Sequence, residues 1–135
     1  MIEERSVTNT RQTLLDIRRV YDAPLPGEGA RVLVDRLWPR GVRKADLELD
    51  AWRRDLAPSA ELRRWFGHDP ARWEEFQRRY AAELEERQAD LDSLVALAWE
   101  RGLTLLYGAR DRRHNNAEAL RRVLLARLDN SSPTP

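Results

Sequence analysis

The stretch Leu91–Leu128, LDSLVALAWERGLTLLYGARDRRHNNAEALRRVLLARL, decides the fold. Leu91, Leu94, Val95 and Ala98 recur at helical spacing, and Gly102 stands where such a helix ends. Leu103-Thr104-Leu105-Leu106-Tyr107 is then a short apolar run of the kind that makes a strand covered on both faces. A polar, arginine-rich loop follows. Asn116 is the predicted cap of a last helix over Ala117–Leu128, with Leu120, Val123, Leu124 and Leu128 facing inward. Helix, glycine, strand, loop and helix in that order predict an α/β domain with a mostly parallel sheet flanked by helices.

Working outward, two more segments read as strands. Leu15–Tyr21 alternates imperfectly, and Arg31–Leu37 holds the apolar run Val32-Leu33-Val34. The loop between them, Pro24-Leu25-Pro26-Gly27-Glu28-Gly29, is rich in turn residues. Ser59 is the predicted N-cap of a short helix whose face is Leu62, Trp65 and Phe66 and whose end is Gly67. Asp69-Pro70 opens the next helix, with a capping carboxylate ahead of proline. Trp73, Phe76, Tyr80 and Leu84 continue at helical spacing. Because a helix running unbroken to Gly102 would be long for a small domain, a break is predicted near Gln88–Asp90. The aromatic set Trp65, Phe66, Trp73, Phe76 and Tyr80 reads mainly as core, while Trp52 faces either way. The expected organisation is a flexible arm over 1–12, one α/β domain over 13–128 and a disordered tail over 129–135.

Composition narrows the function. The chain has 135 residues, enough for one compact core. Its 24 Lys+Arg against 23 Asp+Glu leave a formal charge of +1, without the surplus of a strongly basic nucleic-acid binder. With no cysteine there is no disulfide framework, thiolate nucleophile or cysteine-based metal site. Only His68 and His114 exist, far apart in sequence, so no metal site and no cofactor are expected. No apolar run reaches membrane-span length and no signal core stands at the N-terminus, so the expected setting is cytoplasmic, without membrane.

In open α/β sheets, ligands bind beyond the carboxyl ends of the strands. That rule points to two loops. The first, Asp35-Arg36-Leu37-Trp38-Pro39-Arg40-Gly41, packs two guanidiniums, a carboxylate and an indole into seven residues. Arginine forks suit carboxylate or phosphate, and an indole gives a flat wall. The plainer reading is an ion pair of Asp35 with Arg36 or Arg40 that staples the loop, with Trp38 filling core. The second loop, Tyr107–Asn116, leads into a helix start that favours anions. Arg110, Arg112 and Arg113 add charge, His114 titrates near neutrality, and Asn115 and Asn116 cap the helix or orient a ligand. Here the plainer reading is a solvated loop with an ordinary cap.

At these residues the chain resembles a known family. Arg19-Val20-Tyr21-Asp22, Arg31–Gly41, Pro58-Ser59-x-Glu61-Leu62-Arg63, Leu105-Leu106-Tyr107, Arg110-Asp111 and Asn115-Asn116-Ala117 are similar to the YeaO-like branch of domain-of-unknown-function family 488. The resemblance covers roughly Arg18–Leu128 and implies a small, stand-alone bacterial α/β protein. It brings no established activity. A sister branch carries cysteines at the places of Tyr107 and Asn115, so thiol chemistry proposed there does not transfer to this chain.

Three functions are expected in order. First comes a site for a small anionic, phosphate-type ligand, gripped by Arg19, Arg36, Arg40 and Arg110, walled by Trp38 or Tyr107, and completed by Asn115 and Asn116. At the same site, and undecided against binding, is a hydrolase or transferase acting on an anionic substrate. Its catalytic candidates are Asp35, Asp111 and His114. Third is a nucleic-acid or protein-interaction module using Arg110, Arg112-Arg113 and Arg121-Arg122. One observation separates a base from a staple: whether an Asp faces a pocket without an arginine holding it.

Overall fold

A computed structural model describes residues 14–130 of the chain. Strands β1 (Leu15–Arg19), β2 (Ala30–Leu33), β3 (Ala51–Trp52) and β4 (Leu103–Tyr107) form one parallel sheet in the spatial order β1-β4-β2-β3. Helices α1 (Ala60–Phe66), α2 (Trp73–Leu84) and α3 (Gln88–Arg101) lie between β3 and β4, and α4 (Asn116–Asp129) follows β4. The domain is therefore α/β, as the helix–glycine–strand–loop–helix pattern predicts.

The central strand is β4. Its register pairs Leu103 with Leu15 and Ala30, and Leu105 with Ile17 and Val32. All five of its residues are buried, which fits an apolar run covered on both faces. On one face Leu15, Ala30, Val32, Leu103, Leu105 and Tyr107 join the apolar sides of the four helices in the main core. On the other, Val20, Leu33 and Leu106 meet Leu47 in a smaller core edged by Trp38, Val42, Leu49 and Trp52. The chain between β2 and β3 roofs this back face, without an α-helix.

The amino end of the sheet is closed by a polar clamp. Glu28 pairs with Arg31 and, at 2.8 Å, with Arg18, while its carbonyl accepts from the Thr104 hydroxyl at 2.8 Å. Arg31 also donates from Nε to the Glu48 carbonyl at 2.6 Å. Arg31 and Thr104 are both buried, so these partners offset the cost of removing them from water.

Local signals explain the helix ends. Ser59 Oγ accepts from the Leu62 N–H at 3.1 Å, and Gly67 ends α1 in the left-handed conformation at φ 55°. Asp69 accepts from the Ala71 N–H, but Pro70–Arg72 forms a 3-10 turn before α2 proper begins. The break in the long helical stretch is a 3-10 turn over Glu85–Arg87, just ahead of the expected position. The cap of α4 is a correction. Asn115, not Asn116, accepts the Glu118 N–H at 2.8 Å, because its side chain lies three residues before that donor. Strands β1 and β2 end earlier than expected, and β3 is too short for periodicity to show. Asp129 closes α4 and Asn130 caps it, while the expected arm and residues 131–135 of the expected tail lie outside the described residues.

Leu105, fully buried at the middle of β4, is the position where truncation should cost most cleanly. Leu105→Ala is expected to lower unfolding stability by about 2–5 kcal/mol, whereas exposed Leu25→Ala should stay within about 0.5 kcal/mol. Paired urea melts measure the difference.

Candidate functional site

Beyond the carboxyl ends of β2 and β4 the surface opens into a cavity of about 290 Å³. Its floor is Asp35. The Asp35 Oδ2 accepts the Gly108 N–H at 2.9 Å, and Oδ1 accepts from Asn116 Nδ2 at 3.0 Å. The same Asn116 amide donates to the Val34 carbonyl at 3.0 Å. One carboxylate thus ties the end of β2 to the loop after β4 and to the first residue of α4. A Cβ on Gly108 would stand 3.2 Å from Asp35 Oδ2, closer than an ordinary contact, so a glycine suits this approach.

The surrounding loops are fixed by their own bonds. Arg19 donates to the Ala109 carbonyl at 2.8 Å and to the Gly108 carbonyl at 3.2 Å, with its guanidinium 4.7 Å from the Tyr21 ring centre. The Tyr21 hydroxyl donates to the Arg40 carbonyl at 2.8 Å. Trp38 Nε1 donates to the Val42 carbonyl at 2.6 Å, and Trp52 Nε1 to the Asp35 carbonyl at 2.8 Å. The two indoles meet edge to face, 5.3 Å apart. Trp38 therefore serves the back-face core and one wall of the cavity together.

Of the residues singled out in the sequence, Asp35, Trp38, Arg40, Asn115 and Asn116 line this cavity. Arg19 holds the loop from behind. Arg36 turns to a separate groove with Asp55, Ser59 and Glu83, where its Nε donates to the Pro58 carbonyl. Tyr107 is buried under the sheet end, and burial raises its hydroxyl pKa. Arg110 is exposed and lies off the cavity. Asp111 and His114 bind one another. Asp111 Oδ1 accepts the N–H groups of Arg113 and His114, each at 2.9 Å, and Oδ2 stands 2.9 Å from His114 Nδ1. His114 also meets Trp73 edge to face at 5.3 Å. The pair closes the turn ahead of α4.

Sequence reasoning missed Arg63, His68 and Tyr21 as lining groups, and it assigned Phe66 and Phe76 to core alone. The two phenylalanines are buried and stacked at 4.2 Å, so they are core that also forms a wall. His68 follows the glycine cap of α1 and has a φ of 57°, uncommon for a residue with a side chain. Arg40, Arg63 and His68 form no ion pair among the described residues, although Arg63 and His68 act on Asp35 through space. Asp35 is likewise held by no arginine.

The two carboxylates differ sharply. Burial pushes the Asp35 carboxyl above the usual range, against the pull of Asn116, Gly108, Arg63 and His68. Asp111 is instead drawn down to about 2, chiefly by the His114 N–H, then by the Arg113 N–H and the His114 ring. Among the described residues no group of three or more His, Cys, Asp or Glu is placed to hold a metal. No helix there is long and apolar enough to cross a membrane.

A family model described as the inactive DUF488-N3 subclade matches residues 14–134. A protein of Escherichia coli K12, described as uncharacterized protein YeaO, is 41% identical over 106 residues, which span 78% of this chain and 92% of that one. Proteins of Mycobacterium bovis (uncharacterized protein Mb3100c) and Mycobacterium tuberculosis H37Rv (uncharacterized protein Rv3073c) are each 40% identical over 117 residues, 87% of this chain and 98% of theirs. No solved structure matches the chain.

The lowered pKa of Asp111 sets a pH dependence. A depressed carboxyl contributes stability above its ordinary value of 3.8 and loses it as pH falls through about 2. Asp111→Asn should therefore melt below the native protein at about pH 6, with the gap narrowing as pH falls below about 4. Thermal melts of both proteins across that range test it, and a gap independent of pH would contradict the assignment.

Proposed function

The chain belongs to the DUF488 family, in the subclade described as inactive, and on that premise we propose that it binds a small anionic ligand without transforming it. The observation that carries this reading is the set of cations at the cavity. Arg40, Arg63 and His68 reach it from two separate segments and are neutralised by no carboxylate through an ion pair among the described residues. Elsewhere on the surface most arginines near acids are paired, as Arg53 is with Asp55 and Asp90. Leaving two arginines and a histidine unpaired around a concave, partly aromatic surface supports recognition of carboxylate, sulfonate or phosphate. The volume, at the small end of ligand pockets, favours a single-ring or smaller molecule.

Catalysis on an anionic substrate is the second reading, and Asp35 is what favours it: a half-buried carboxyl lining the cavity, held by no arginine. The subclade's description weighs the other way. A nucleic-acid surface has less support. Arg112 forms a two-point pair with Asp22, and Arg121 and Arg122 are both engaged by Glu118.

Thermal-shift titration with phosphate, sulfate, sugar phosphates, nucleotides and arenecarboxylates tests the proposal. A bound anion should raise Tm with the logarithm of its concentration, by roughly 10 °C at a hundredfold excess over Kd. The double variant Arg40→Ala, Arg63→Ala should melt near the native temperature and lose the response, since both side chains are exposed. Absence of any anion-dependent shift in the native protein overturns the reading.

A further inference from the structure

We infer that Asp35 is the specificity-determining residue of the cavity, reading a nitrogen donor on the ligand, so that the molecule bound is an ampholyte with an N–H-bearing end and an acidic end. The inference rests on the proposed anion site and adds to it the other half of the ligand. A carboxylate offers about four acceptor positions across its two oxygens. Asp35 uses one on each, toward the Gly108 N–H and the Asn116 amide. The remaining capacity belongs to a side chain that lines the cavity.

Among the described residues, nothing claims that capacity. Arg36, its sequence neighbour, turns to the other groove. Arg40 lines the cavity without forming an ion pair with it, and Arg63 and His68 act on it only through space. A cavity made solely for an anion would be poorly served by a carboxylate in its lining, because the two would repel at short range. With exposed basic side chains and a half-buried carboxylate along its lining, the cavity is polarised. A complementary ligand turns its donor to Asp35 and its acid to the basic side chains. Trp38, Phe66 and Phe76 line the space between and suit a flat, apolar body.

The amidine group is the sharpest probe of such a carboxylate, since it donates two parallel N–H bonds as a guanidinium does. Benzenesulfonate presents only the acid, benzamidine only the donor, and 4-amidinobenzenesulfonate both. Calorimetric titration of the native protein with each is expected to show the bifunctional probe binding at least about tenfold tighter than benzenesulfonate. Asp35→Asn should bring those two affinities together, because the variant loses the bond to the amidine and also the repulsion of the acid.

Because Asp35→Asn also weakens the joint between Gly108 and Asn116, the native protein supplies an independent measurement. The charged and titratable groups around Asp35 are Arg63 and His68, Arg40 in its own loop, and the buried Tyr80 of α2. As pH rises through the raised Asp35 titration, benzamidine affinity should increase. Benzenesulfonate affinity should fall or stay level over the same range, since the ionised Asp35 repels an anion.

Equal affinity of 4-amidinobenzenesulfonate and benzenesulfonate overturns the inference and leaves the anion site standing. A benzamidine affinity that does not change with pH also overturns it. Asp35-dependent benzamidine binding, with benzenesulfonate failing to bind, upholds the donor-reading role and overturns the anion site. Failure of all three probes overturns both.

Discussion

The architecture of the open end depends on one carboxylate joining three segments. A parallel sheet ends in backbone groups that its ladder does not satisfy, and the segments leaving those ends diverge. Here Asp35, two residues past β2, accepts from the loop after β4 and from the first residue of α4. The carbonyl side of the same Gly108 is taken by Arg19 beyond the end of β1's neighbour strand, so both faces of that peptide segment are held. Asn116 completes the joint by reaching back to Val34. The loop positions, the start of α4 and the depth of the cavity all follow from this arrangement. Burial makes the charge costly, and the hydrogen bonds only partly offset that cost, which is why the carboxyl stays raised.

The two ends of the sheet solve the same problem in opposite ways. At the amino end Glu28 meets Arg18 and Arg31, and a carbonyl of the same residue takes the Thr104 hydroxyl. Charges there are mutually consumed. At the carboxyl end the carboxylate is hydrogen-bonded to neutral donors, and the arginines stand apart from it. This asymmetry separates a closed structural clamp from a surface with interaction capacity left over, although both are built from similar residues.

Much of the scaffold was legible because short-range physics set it. The apolar run at Leu103–Tyr107, the Ser59 cap and the glycine at position 67 each act within a few residues of themselves. β3 was not, because two residues carry no period. Their pairing rests instead on Asp50 and Arg53 N–H groups donating to the Arg31 and Leu33 carbonyls. Asn115 and Asn116 looked interchangeable as caps. Only the position of Asp35 across 81 residues of chain decides that the second one reaches away from its own helix. The cavity was harder still. Asp35 and Asp111 each sit among arginines in sequence, yet one lines the cavity and the other is bound by its own turn. Arg36 had the stronger motif but faces the far groove, while Arg63 arrives from a helix read for its apolar face and His68 from just past its glycine cap.

The segment between β2 and β3 gives the molecule a particular mechanical character. It begins at the cavity with Asp35, Trp38 and Arg40, crosses the back of the sheet through Val42 and Leu47, and ends at Trp52, whose indole bonds to the Asp35 carbonyl. The strap is thus closed on itself by that bond. Its shelter of the minor core and its shaping of the cavity are two aspects of a single cooperative unit. Opening the strap would wet Leu33 and Leu106 at the same moment that it dissolved the cavity wall. Occupancy of the cavity at the strand ends would therefore slow solvent exchange in the minor core, with no signal passing through the strands.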